Sequence, residues 1–307
     1  MKNPVKKMIL FKGEKYLVCT GLLGVLMGIL CLALIMFQGS IVRPQGDLFN
    51  AVSFNIALGL FILTTAAFIP LANFGVRSAS WFRWILIIAT IYCYGLETVQ
   101  NIRGINPRFA QEGNAHDHIF GAIFGLFSIL IIVCYIILAI KFYLNRNVHK
   151  YNLLMKGICY GMVSIMIGFA SGIWMIMEQG RYSGATGDIL WLHGLSFHGL
   201  QAIPLLALFI MKSKIIVKNK IRLIHIGGIS WCLALVILGN QTFLGKSIFE
   251  PSVHSVALTF ILFLWVTIFL GIMSNVINQE YRKINSEIQE YKKEGSIIFL
   301  NNYKNKD

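Results

Sequence analysis

The sequence predicts an all-α polytopic integral membrane bundle of about eight transmembrane helices, with both termini cytoplasmic. Three observations carry that prediction. Apolar residues make up 56% of the 307-residue chain and charged residues only 13%, about half the share of a soluble domain. The apolar residues gather into runs of about twenty, the length a helix needs to cross a hydrocarbon core of about 30 Å. The basic residues, finally, collect in alternate connections between those runs, as the positive-inside rule requires.

The runs follow one another at short intervals. The basic N-terminal stretch MKNPVKKMILFKGEKY leads into the first, 17–37. Its apolar core is too long for a cleaved signal and lacks an A-x-A-like site, so it is expected to remain as a span. The second and third runs are 49–72 and 80–98, the third closing in YCYGLETVQNIRG. The fourth, 118–141, follows GNAHDHIFG, and the fifth is 155–177. The sixth, 192–212, lies within GDILWLHGLSFHGLQAIPLLALF, and the seventh, 222–243, ends at GNQTF. The eighth is 253–277. Internal Gly and Pro are tolerated where neighbouring helices satisfy the backbone. Together these form a transmembrane unit, 1–277. The polar remainder, 278–307, places Tyr281, Ile284, Ile288 and Tyr291 at helical spacing, which predicts a short cytoplasmic or interfacial helix.

With the N-terminus in the cytoplasm, only Arg43, Arg103, Arg108, Arg181 and Lys246 of the 27 lysines and arginines fall on the far side. That bias accounts for the net charge of +14 without a nucleic-acid partner. It also places the chain in a cell membrane as a multi-pass protein. The six cysteines lie inside apolar runs and form no CxxC pair, so they read as small buried hydrophobes. GNQTFLGKS has the wrong glycine spacing for a phosphate-binding loop. SFN at Ser53–Asn55 and SFH at Ser196–His198 open the second and sixth spans at an offset of 143. GLET and GNQT close the third and seventh at an offset of 144, which suggests a weak 4+4 parallel repeat.

Polar residues inside apolar runs are the functional signal, because each is costly against lipid. Glu97, Gln100 and Asn101 share one helix face. His193, His198 and Gln201 stand at the entrance of the sixth span, and Gln241 closes the seventh. All of these, with Arg103, fall toward one leaflet, the extracytoplasmic one by the charge bias. His193 and His198 point roughly 140° apart on an ideal helix, so both reach one ion only if His193 lies in the entry loop. Gly194 and Gly199 beside them admit a helix or a flat ligand.

Three of these stretches resemble motifs of a family of uncharacterised bacterial polytopic membrane proteins. GDILWLHGLSFHGLQAIPL is similar to its H-x(4)-H-x-L-Q-x-x-P motif. LETVQNIRG is similar to its E-x-x-Q-x-x-R-G stretch, and QTFLGKSIFEP to a Q-x-x-x-G-x(5)-P stretch. The resemblance covers roughly the third to seventh spans. Arg108 departs from it, standing near a position where the pattern carries histidine. It implies a polytopic bundle and no particular activity.

Three functions fit the polar cluster. In a metal-dependent membrane enzyme, His193, His198 and Glu97 would ligate a divalent transition metal. Arg103 would hold an anionic head group, Gln201 would orient water or substrate, and Gln241 would line the cofactor site. The substrate would be lipid-soluble or lie on the extracytoplasmic side. In a redox protein, His193 or His198 would ligate b-type haem, its other axial ligand coming from His116, His118 or His254, with a quinone as electron partner. In a transporter or sensor, Glu, His and Arg would form a ligand or proton path. A path needs polar groups at several depths, and the sequence gathers them at one end.

Overall fold

The computed structural model describes residues 10–145 and 152–304, with side chains through 286 and at 288 and 289. The basic N-terminal residues 1–9 and the end of the tail, 305–307, lie outside the described residues. Eight helices are long and apolar enough to cross a membrane. They are α1 (Lys15–Gln38), α2 (Leu48–Phe68), α3 (Val76–Ile102), α4 (Ala115–Asn145), α5 (Asn152–Met177), α6 (Ile189–Lys212), α7 (Val217–Phe243) and α8 (Val253–Lys304). A short 3₁₀ turn, Ile69–Leu71, follows α2.

The helices outrun the apolar windows where polar interfacial residues continue the same backbone. The third ends at Ile102 rather than 98, which carries Gln100 and Asn101 onto the helix. The largest difference is at the C-terminus. The polar tail is not a separate short helix but a direct continuation of α8 to Lys304. No Gly or Pro falls between Asn278 and Glu294 to interrupt the hydrogen-bond ladder.

Two small hairpins escape the hydropathy pattern because their strands are two residues long. Strands β1 (Ile41–Val42) and β2 (Gly46–Asp47) join α1 to α2; β3 (Tyr182–Ser183) and β4 (Gly187–Asp188) join α5 to α6. Each hairpin ends in an aspartate that caps the next helix. Asp47 accepts from the Phe49 N–H at 2.9 Å, and Asp188 from the Leu190 N–H at 3.0 Å. Each also docks on the end of a distant helix. The Gln45 N–H donates to the Gly104 carbonyl at 2.8 Å, and the Thr186 N–H to the Gly245 carbonyl at 2.9 Å. A Cβ at Gly46 would lie 2.4 Å from the Asn101 carbonyl, and one at Gly187 2.4 Å from that of Thr242. Every partner in the second half stands 141 residues beyond its counterpart in the first. The letter matches at 143 and 144 are therefore out of register: in the structural frame Asn55 corresponds to Ser196, Gln100 to Gln241, and Glu97 to Leu238.

Close pairs of helices build each half. A Cβ at Gly21 of α1 would lie 2.8 Å from the Gly59 carbonyl of α2, so these backbones touch. In the second half Gly157 and Gly161 of α5 fit against Ile203 and Leu200 of α6 in the same way. Without a hydrophobic force between helices in lipid, such close approach supplies the packing energy. The halves meet where α2 touches α6 and α4 touches α5. An aromatic cluster fills that seam. Phe61 meets Phe197 edge-on at 5.0 Å, and Tyr135 meets Phe169 at 5.6 Å. The Tyr135 hydroxyl bonds Thr65, which satisfies it away from water.

Candidate functional site

The polar residues converge at the end of the bundle that carries the two hairpins, called here the hairpin end. Glu97, on the last turns of α3, is 0% exposed. Its carboxylate is taken by Arg108, from the connection between α3 and α4. Nη2 lies 2.7 Å from Oε1, and Nε lies 3.3 Å from Oε2. Asn101 donates to the Glu97 carbonyl oxygen at 2.7 Å, and its own Oδ1 accepts from the Asp47 N–H at 3.0 Å. The hairpin, α3 and the ion pair are thus locked together. The Arg108 guanidinium lies 5.2 Å from the Phe54 ring centroid and 5.8 Å from that of Phe124. Those rings shield the pair and attract its cationic plane.

A second ion pair adjoins the first. Arg103 Nη1 donates to Asp117 Oδ1 and to Gln100 Oε1, both at 2.6 Å. Gln100 Nε2 donates to the same Asp117 oxygen at 2.9 Å. Asp117 is buried on the first turn of α4, while the Arg103 side chain is 41% exposed. Arg103 thus sits at the rim, already engaged through Nη1 and, at 3.5 Å to Asp117 Oδ2, through Nη2.

Between these groups lies a cavity of about 250 Å³. Arg108, Gln111, Asp117 and His118 line it from the first half, and Gln179, just after α5, from the second. Arg108 is 32% exposed there. Among the described residues its Nη1 has no hydrogen-bond partner; both of its bonds use the other edge of the guanidinium.

The α6 histidines part company. His193 turns inward: Nδ1 lies 2.9 Å from the Gly168 carbonyl and 3.1 Å from Ser171 Oγ, with Phe197 edge-on at 4.8 Å. A carbonyl only accepts, so Nδ1 carries the proton and Nε2 is left as an acceptor. His198 is exposed and bonds Gln201 of its own helix, Nδ1 to Oε1 at 3.1 Å. Gln241 is buried and donates from Nε2 to the Ser247 carbonyl at 2.5 Å, tying the end of α7 to the following loop.

The expected ligand set of Glu97, His193 and His198 is therefore not assembled. Glu97 is neutralised by Arg108, and the angular separation of the histidines sends His198 to another face. Among the described residues no three His, Cys, Asp or Glu side chains are placed to hold a metal. His193 itself is joined to Ser171, Gly168 and Phe197. Gln201 and Gln241 are occupied away from the carboxylate.

Sequence reasoning missed the partners Arg108 and Asp117. A signal for them existed. Few basic residues fall at this end, and two buried acids there must meet two of its arginines. Substitutions separate the two histidines. His198→Ala is expected to change unfolding free energy by less than about 0.5 kcal/mol, while His193→Ala costs about 2–3 kcal/mol through lost packing and a lost buried bond. Thermal unfolding of the two variants in one detergent checks this.

No family model, curated protein or solved structure matches the chain. Fold and site define its class directly: a polytopic helical bundle of membrane-spanning length with a buried carboxylate–guanidinium pair beneath a cavity at one end.

Proposed function

We propose that the protein binds a small solute bearing a carboxylate or phosphate-like oxyanion at the hairpin end, as a membrane transporter or sensor. Both termini lie in the cytoplasm and the hairpin end faces outside, as the distribution of basic residues favours. The observation that carries this function is the half-used guanidinium of Arg108. One edge is fixed by Glu97, Nη1 is left over, and Arg108 lines the cavity. Guanidinium forks pair with planar oxyanions through two parallel bonds. Glu97 balances the charge when the site is empty and holds the fork in place.

The interior beneath the site favours passage or signalling over surface chemistry. Tyr94 and Thr90 lie three and seven residues before Glu97 on α3, on the same face. The Tyr94 hydroxyl, Thr90 Oγ1 and Asn55 Oδ1 are buried and have no partner among the described residues. Polar character thus runs about 10 Å inward from Glu97, deeper than the sequence suggested. Beyond it Leu86, Ile87 and Phe82 are buried and form an apolar plug. Past the plug, at the opposite end, Arg83 and Glu14 form a second two-pronged pair at 2.7 and 2.8 Å. A site open to one side, a polar column and a closed far end are the parts an alternating-access or signalling bundle requires. We read the recurrence at 141 residues as a parallel duplication of a four-helix unit, of which only the first copy keeps the carboxylate.

The test is thermal melting of protein in lipid nanodiscs against small mono- and dicarboxylates and inorganic phosphate. A ligand at 100 times its Kd is expected to stabilise by roughly 2.7 kcal/mol. Arg108→Lys keeps the charge, loses the fork, and is expected to abolish the shift. A flat wild-type response across the panel would count against an oxyanion site.

A further inference from the structure

A second cavity, of about 580 Å³, lies at the end of the bundle away from the hairpins. It opens between the turn after α6 and the stretch of α8 just past its apolar run. Lys214 lines it from the turn, and Arg282 and Lys283 line it from α8. Asn275, Asn278 and Gln279 add neutral polar groups, and among the described residues no carboxylate lines it. Asn275, Asn278, Gln279 and Arg282 follow the i, i+3, i+4, i+7 pattern, so one face of α8 presents them together.

Its depth is set by helix geometry. Asn275 lies 22 residues beyond Val253, the first residue of α8, hence about 33 Å along the axis. That is just past a hydrocarbon core of about 30 Å. The groove therefore sits at head-group level. On the same face, the preceding stretch of α8 leaves Phe260 and Leu264 exposed. Cationic groove and adjoining apolar flank match the two parts of an amphiphile.

We propose that this groove holds the head group of an anionic phospholipid. Lys214 and Arg282 grip the phosphodiester from opposite walls, and the acyl chains cover the exposed flank of α8. The three cations are drawn from two elements, so an occupying lipid ties the α6–α7 turn to the extension of α8. The site is independent of Arg108 and of the solute site at the hairpin end.

The test uses purified full-length protein and native mass spectrometry. The probes are short-chain phosphatidylglycerol, short-chain phosphatidylcholine and inorganic phosphate. Wild type is expected to hold one phosphatidylglycerol per chain at least tenfold more tightly than phosphatidylcholine. The double variant Lys214→Gln/Arg282→Gln is expected to lose about thirty-fold in that affinity, two basic contacts being removed, with thermal melting unchanged. Lys218→Gln/Arg222→Gln removes two nearby cations that do not line the groove and is expected to leave affinity within twofold. Three results would each overturn the proposal: equal binding of the two lipids, an equal loss in both double variants, or displacement of the lipid by inorganic phosphate at matching concentration. The second would reveal a diffuse basic surface, and the third a site for free phosphate.

Discussion

Arg108→Met is expected to destabilise the protein by about 3–5 kcal/mol, because it strands a charged carboxylate in the bundle. Glu97 is wholly buried, and its remaining partner is the Asn101 amide, 3.4 Å from Oε1. One amide does not replace a two-pronged cation. The loss is specific to the unpaired charge, so the double variant Glu97→Gln/Arg108→Met should recover most of it: a neutral amide beside an apolar chain carries a much smaller desolvation cost than a bare carboxylate. Solute binding should be lost in both variants. Melting of wild type, both single variants and the double variant, analysed as a cycle, gives the coupling between the residues. Additive single losses would mean that the pair is not energetically joined.

The second large effect contrasts two structurally corresponding glycines. Gly104 has φ +78° and Gly245 φ +70°, each just past a helix end in the left-handed region where side chains are strained. At Gly245 an added Cβ would meet its nearest atoms at 3.2 Å, a contact small shifts can relieve. At Gly104 it would fall 2.1 Å from the Arg43 carbonyl oxygen. That oxygen belongs to the turn of the first hairpin and cannot move without unseating it. Gly245→Ala is therefore expected to cost about 1–2 kcal/mol, the conformational strain alone. Gly104→Ala should cost several kcal/mol and disturb the connection that carries Arg108, lowering solute affinity as well. Chemical denaturation of the two variants under identical conditions separates these outcomes. Equal losses would show that the hairpin yields.

The membrane-length helices were legible in the sequence because hydropathy over twenty residues is a strong, local signal. Every apolar run has its helix, although α1 to α7 begin one to five residues before their apolar windows and α8 runs on past its own. The hairpins were not legible, since two-residue strands leave no periodicity. What identifies them is a pair of Gly-Asp steps, Gly46–Asp47 and Gly187–Asp188, whose meaning depends on helix ends far along the chain. The 141-residue recurrence of contacts escapes for a related reason: it lies in hairpins and helix ends far apart along the chain, not in letters shared along one span. The candidate site was half legible. Glu97 and His193 stood out as costly groups in apolar runs, and both turn inward. His198 stood out equally, yet it faces outward beside Gln201. Hydropathy says that a polar group needs a partner, not which one. Arg108 and Asp117 lie in or beside a connection, where charge is ordinary and carries no such warning.

The cavity at the hairpin end takes Arg108 from one half of the chain and Gln179 from the other. A chamber whose walls belong to two bodies changes width whenever those bodies shift. A solute of the kind proposed above would then act as a spacer, favouring the one separation it fits. On the proposed solute reading, occupancy would bias the separation of the halves across the aromatic seam around Phe61, Phe169 and Phe197. Solutes of the same charge but different length would set different angles. The size of the bound molecule, and not only its presence, would be transmitted to the far side of the membrane.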